Sequence, residues 1–268
     1  MLRRQQRLLN PVRAGSIRFD RNELAGAFGG IGTDLPLVVG VILAAKLDSA
    51  SALIMFGAMQ VLTGLAYSMP MPVQPLKAMA ALVIAQKLSG NILFGGGLAI
   101  GVIMLGLTLT GLIGWLARVV PKTVVRGIQF GLGLQLATLA LKDYVPADGV
   151  TGYALAAAGL VITLALMGNR RFPAALFVIA LGVASALFHF NFGAVGVGFR
   201  LPQWHPPAMA DILTGLVVLA IPQIPLSLGN SILATRQVAE DFFPERKLTI
   251  RRISFTYSLM NLINPWFG

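Results

Sequence analysis

The sequence predicts an all-α integral membrane protein that includes one helix too short to cross the bilayer. Three observations carry this prediction. Of 268 residues, 56% are hydrophobic and only 12% are charged, whereas soluble domains carry about 25% charged residues. The apolar residues gather into nine segments separated by polar turns. One stretch, Pro70-Met71-Pro72-Val73-Gln74-Pro75, interrupts that series. Each of its prolines lacks an N–H, fixes φ and biases the preceding residue toward extended backbone.

The elements follow in chain order. Residues 1–22 form a basic tail with six arginines. No cleavable signal pattern follows, because the apolar run from Leu24 is too long for a signal core and a second run succeeds it at once. The apolar segments are 23–45, 50–69, 75–88, 92–117, 121–142, 150–168, 172–190, 209–235 and 253 to the end. Turns such as Lys46-Leu47-Asp48-Ser49 separate them. The connection 191–207 is the longest and holds Trp204, an interfacial aromatic.

Segment three decides the functional reading. After Pro75 the sequence is helical again, but it meets Ser89-Gly90-Asn91 well before the ~20 residues a spanning helix needs. It reads as a half-helix that starts near mid-membrane, with extended backbone before it. Such a tip offers unpaired N–H groups and the positive end of a dipole. Lys77 in its first turn suits the tip to an anion.

Charge fixes orientation. With the N-terminus inside, sixteen Lys and Arg fall on inner loops, four (Lys46, Lys87, Lys142, Arg200) fall outside, and Lys77 is left within the membrane. The formal net charge of +11 is therefore a topology signal and not a nucleic-acid footprint. The chain has no cysteine and two separated histidines, His189 and His205, so it offers no metal or haem cluster and no thiolate chemistry. No Gly-x-x-x-x-Gly-Lys-Ser/Thr loop is present for ATP.

An internal repeat supports a transporter plan. A shift of 189 residues places Leu24, Gly26, Pro36, Leu37, Gly40 and Ala45 on Leu213, Gly215, Pro225, Leu226, Gly229 and Ala234. The two segments run in opposite directions, and inverted repeats with binding at broken helices are common in secondary transporters. The second copy is incomplete: segment nine ends in Asn264-Pro265-Trp266-Phe267-Gly268, where a second half-helix is expected to follow.

At these residues the chain resembles the molybdate-transporter family, relatives of the sulfate permeases (SulP). The matching stretches are Glu23 to Thr33, Pro70 to Ala78, Val125-Arg126-Gly127-Ile128-Gln129 and Pro222-Gln223-Ile224-Pro225-Leu226, with Asn230-Ser231 and Phe243-Pro244 following the pattern. The resemblance implies two inverted seven-helix repeats. Helices 1–4 (residues 23–117 here) would belong to a core domain and helices 5–7 (118–207) to a gate domain. Residues 208–268 would open the second repeat. The oxyanion would bind between the facing tips of helices three and ten. One position departs from the family pattern Gly-Asp-x-Gly-Thr: Gly30 stands where the acid is usual, and Asp34 lies one turn later.

The candidate residues each have a plainer reading. Lys77 contacts the anion or snorkels to an interface. Asp34 carries a coupling proton, pairs with Lys77 or faces a watery cavity. Gln74, with Pro75 and Leu76 beside it, and Gln223, Ser227 and Asn230 either line the pocket or bond between helices. Thr33 donates to the anion or to its own backbone. Arg126 is a topology charge or a gate residue. Gly97/Gly101 and Gly127/Gly131 are spaced for close helix packing.

The function expected is secondary transport of a tetrahedral oxyanion, molybdate first and sulfate second, by alternating access in a bacterial inner membrane. No cofactor and no enzymatic step are expected. The coupling ion, H+ or Na+, and homodimerisation stay open. The alternatives are an organic-anion or nucleobase carrier of the same fold, a non-transporting subunit, or a membrane-embedded enzyme, for which clustered acids are lacking.

Overall fold

A computed structural model describes residues 30–69, 73–168, 172, 174–189, 200–244 and 247–267, and among these every regular element is helical. The basic tail, Pro70, Met71 and Pro72 lie outside the described residues. The chain forms α1 (Ile31–Ala45), α2 (Ser49–Tyr67), α3 (Lys77–Gln86), α4 (Gly90–Leu109), α5 (Leu112–Val119) and α6 (Lys122–Leu139). α7 (Gly149–Ala165), α8 (Ala174–His189), α9 (209–242) and α10 (Ile250–Ile263) follow.

Local chemistry sets the ends. Asp48 caps α2 by accepting from the Ser51 amide at 2.8 Å. Thr249 caps α10 by accepting from Arg252 N at 3.2 Å. Both satisfy first-turn donors that the helix itself leaves open.

Two segments differ from expectation. The expected helix 92–117 is two, because Gly111 takes φ +77° between α4 and α5. Thr110 competes locally there, with its hydroxyl donating to the Gly106 carbonyl at 2.8 Å. The segment expected to end at 235 runs on to 242, and it widens into π-type turns at 216–220 and 227–233. These flank Pro222 and Pro225, which supply no N–H to an α-ladder, and such bulges absorb that loss.

α4 is the centre. Ten of its twenty residues are buried, whereas the described residues of α6 include no buried one, so α6 is peripheral. Glycines bring α9 and α10 onto α4. A Cβ on Gly215 would collide with the Gly96 and Ile92 backbone. A Cβ on Gly101 would sit 3.0 Å from the Asn261 carbonyl carbon, and one on Gly97 2.8 Å from Pro265. In a bilayer, where apolar burial gives helices no preference for each other over lipid, such close packing holds them together. The expected pair Gly127/Gly131 shows no such packing: among the described residues nothing lies within 4 Å of a Cβ at either position. Among the described residues, peripheral α6 has no neighbour on that face.

α3 lies deep within this assembly. Ala78, Met79, Ala81 and Val83 are at most 1% exposed. α3 packs against α1, α6 and α9.

Candidate functional site

The site begins with the backbone ahead of α3. Residues 73–76 are non-helical. Val73 is held by a side chain in place of a neighbouring strand: Gln60 Nε2 donates to the Val73 carbonyl at 2.7 Å, and the Val73 amide donates to Gln60 Oε1 at 2.8 Å. Gln60 is the polar residue that α2 carries for this purpose.

α3 then starts at Lys77, with Leu76 as its N-cap residue, and no side chain of the segment itself caps it. The cap comes from α9. Gln223 Oε1 accepts from the Ala78 amide at 2.8 Å and the Met79 amide at 3.2 Å. The expected row of unpaired amides is thus half filled, and the donors left at the tip belong to Leu76 and Lys77. Lys77 is half-buried and forms no ion pair among the described residues.

Beside the tip lies a cavity of about 250 Å³. Gln74, Pro75, Leu76 and Ala80 form its α3 side, Asn230, Ser231 and Thr235 its α9 side, and Tyr257 and Asn261 its α10 side. Phe56 and Val41 are among its apolar walls. Asn230 Oδ1 also accepts from Gln129 Nε2 of α6 at 2.8 Å.

The predicted residues therefore separate into two sets. Gln74, Pro75, Leu76 and Asn230 reach the cavity, with Lys77 next to Leu76 in the chain. Gln223 and Ser227, 3% and 0% exposed, lie behind the wall and bond each other at 3.2 Å. Asp34 is 3% exposed in the first turn of α1. Thr33 is in that same turn, and its side chain is not among those described. Arg126 is exposed on α6. His205 is tied to the turn after α10, its amide donating to the Trp266 carbonyl at 2.8 Å.

Gln60 and Tyr257 were not singled out in the sequence, and Gln129 entered only as part of a family-matching stretch. The available signal was polarity within otherwise apolar helices. It marks a residue as needing a partner without naming the partner.

A family model described as "Molybdate transporter of MFS superfamily" matches residues 22–136 and 215–268. The chain belongs to this molybdate-transporter family. It is 31% identical over 315 aligned residues to "Molybdate transporter 2" of Arabidopsis thaliana, covering 100% of this chain and 66% of that protein. It is 31% identical over 296 residues to "Molybdate transporter 1" of the same plant, covering 92% and 64%. The chain thus spans just under two thirds of the length of these curated relatives. It is also similar to "Molybdate transporter 1" of Chlamydomonas reinhardtii, at 23% identity.

Among solved structures, the transmembrane domain of a cyanobacterial bicarbonate transporter, BicA, superposes with a TM-score of 0.61 at 17% identity. The match covers 95% of this chain and 75% of that one. The likeness is one of fold: this molybdate-transporter family member shares the helical fold of that transmembrane domain.

Proposed function

We propose that the protein is a secondary active transporter of a tetrahedral oxyanion, molybdate first and sulfate second, that works by alternating access. One observation carries this reading. α3 starts inside the protein, and its open tip, followed directly by Lys77, borders a cavity. The free amides of the tip and the dipole favour negative charge, and the ammonium adds to both. Gln74 and Asn230 contribute polar groups to the same cavity. Family membership and the relatives' names support molybdate, and a bicarbonate transporter of the same fold supports an anion more generally.

In this reading α1–α4 belong to the core and α6–α8 to the gate, while α9 and α10 open the second repeat. Residues 1–22 are then a cytoplasmic tail; the Lys and Arg distribution supports an inner N-terminus, and the membrane we propose is a bacterial plasma membrane. Asp34, buried in the first turn of α1, is the candidate for H+ or Na+ coupling. Thr33 in the same turn is a further candidate contact, and Arg126 serves topology or the gate.

The test is uptake of labelled molybdate into proteoliposomes, with sulfate and bicarbonate as competitors. Wild type is expected to accumulate molybdate, with sulfate the better competitor. Lys77→Ala is expected to weaken apparent affinity at least about tenfold, the loss of one charge-assisted contact. Unchanged uptake and affinity in Lys77→Ala would remove this tip as the binding site.

A further inference from the structure

A line of side-chain hydrogen bonds runs from the cavity wall to the tip of α3. Tyr257 lines the cavity, and its hydroxyl lies 2.6 Å from Ser227 Oγ. Gln223 Nε2 donates to Ser227 Oγ at 3.2 Å, and Gln223 Oε1 accepts from the Ala78 and Met79 amides. Gln223 and Ser227 are buried, so no bulk water replaces a bond that breaks.

The chemistry of a carboxamide makes this line directional. It has one acceptor oxygen and one donor nitrogen. The two α3 amides require the oxygen, which turns the nitrogen toward Ser227. If the carboxamide rotated, its NH2 would oppose two N–H donors. The hydroxyl of Ser227 is free to rotate, and its bond with Tyr257 settles which of its lone pairs faces Gln223 Nε2. The three side chains come from two helices, α9 and α10, and act on a third, α3.

We propose that Tyr257, Ser227 and Gln223 form a positioning relay that fixes the tip of α3 for the anion. Gln223 is then a positioning residue and not an anion ligand. This rests on the reading that the anion binds at that tip. The relay keeps the Ala78 and Met79 amides occupied and leaves those of cavity-lining Leu76 and of Lys77 after it for the substrate. Tyr257 governs the geometry of a helix it does not bond directly.

Two measurements on the purified protein test the relay. The first is hydrogen exchange at the start of α3 without substrate. Tyr257→Phe is expected to speed exchange at Ala78 and Met79 several-fold while leaving α4 unchanged, and Ser227→Ala to do the same. The double variant should be no faster than Ser227→Ala alone. The second is molybdate affinity. Tyr257→Phe should weaken it about fivefold in the wild-type background, the effect of one hydrogen bond. In a Gln223→Met background the same change should cost less than about twofold, because coupled residues are not additive.

Wild-type exchange at Ala78 and Met79 in Tyr257→Phe would overturn the relay, as would fully additive affinity losses. Failure of wild type to bind molybdate would instead count against the transport reading, with the exchange result still deciding the relay. Because Tyr257→Phe removes only the hydroxyl and keeps the ring in place, the test survives even if Gln223→Met does not fold.

Discussion

Gln60 and Val73 form a two-way amide pair: the side chain donates at 2.7 Å and accepts at 2.8 Å, across thirteen residues of chain. A carboxamide carries the same donor and acceptor as a peptide group, so it satisfies extended backbone as a neighbouring strand would. Inside a membrane that backbone must be satisfied by protein. The pair therefore anchors the approach to the cavity and to the anion site proposed there, because Gln74, Pro75 and Leu76 follow directly.

Gln60→Leu keeps the volume and removes both partners. It is expected to lower stability by about 1–3 kcal/mol, the range for buried groups left unpaired. It should also weaken molybdate affinity in uptake assays. Gln60→Glu retains an acceptor for the Val73 amide and loses the donor, so it should fall between Gln60→Leu and wild type. Thermal unfolding of the purified protein ranks the three.

Glycines on α9 and α6 make a paired prediction. Gly215→Val would thrust a side chain into the backbone of Gly96 and Ile92, and a stability loss of about 3 kcal/mol or failure to fold is expected. Gly127→Ala and Gly131→Ala meet open space. Both should be neutral or stabilising by up to about 1 kcal/mol, since alanine is the better helix former. Thermal unfolding in one detergent compares all three.

Asp48 supplies a pH dependence outside the membrane segments. Its carboxyl is held below the ordinary value by the side-chain hydrogen bond from Ser51 and then by the bond from the Ser51 amide. The folded pKa is thus depressed relative to the unfolded 3.8. The cap contributes fully above that unfolded value and is lost as pH falls through the lower folded one. Wild type should therefore be more stable than Asp48→Ala at neutral pH, with the difference in Tm shrinking as pH drops below about 4. A difference that grew on acidification would contradict the assignment. Ser51 Oγ also accepts from the Gln203 amide at 3.0 Å, so the loop holding Trp204 should loosen with the cap.

The Gln129–Asn230 bond at 2.8 Å links α6 to α9 at the cavity. If α6 moves against α9 during transport, tying the two together must stop it. The chain has no native cysteine to interfere. Gln129→Cys with Asn230→Cys, bridged by a short bifunctional reagent, is expected to abolish molybdate uptake, and a reducible bridge should restore it when cleaved. Undiminished uptake by the bridged protein would argue that the two helices travel together.

The sequence by itself determined the membrane class, the order of the apolar segments and the half-helix after Pro75. These depend on composition and on the missing amides of proline, which act within a few residues of where they stand. It also indicated that Gly97 and Gly101 face a neighbour, through their spacing on one helical face. It did not distinguish them from Gly127 and Gly131, whose identical spacing meets open space, because spacing defines a face and says nothing of what lies opposite.

Only the tertiary structure decided the partners. Gln223 caps amides 144 and 145 residues away, and Gln129 bonds Asn230 across 101 residues. Within the membrane a polar side chain must find a hydrogen-bonding group, and which one it meets is fixed by how the helices stack. That stacking also moved Gln223 and Ser227 behind the cavity wall and brought Tyr257 forward onto it.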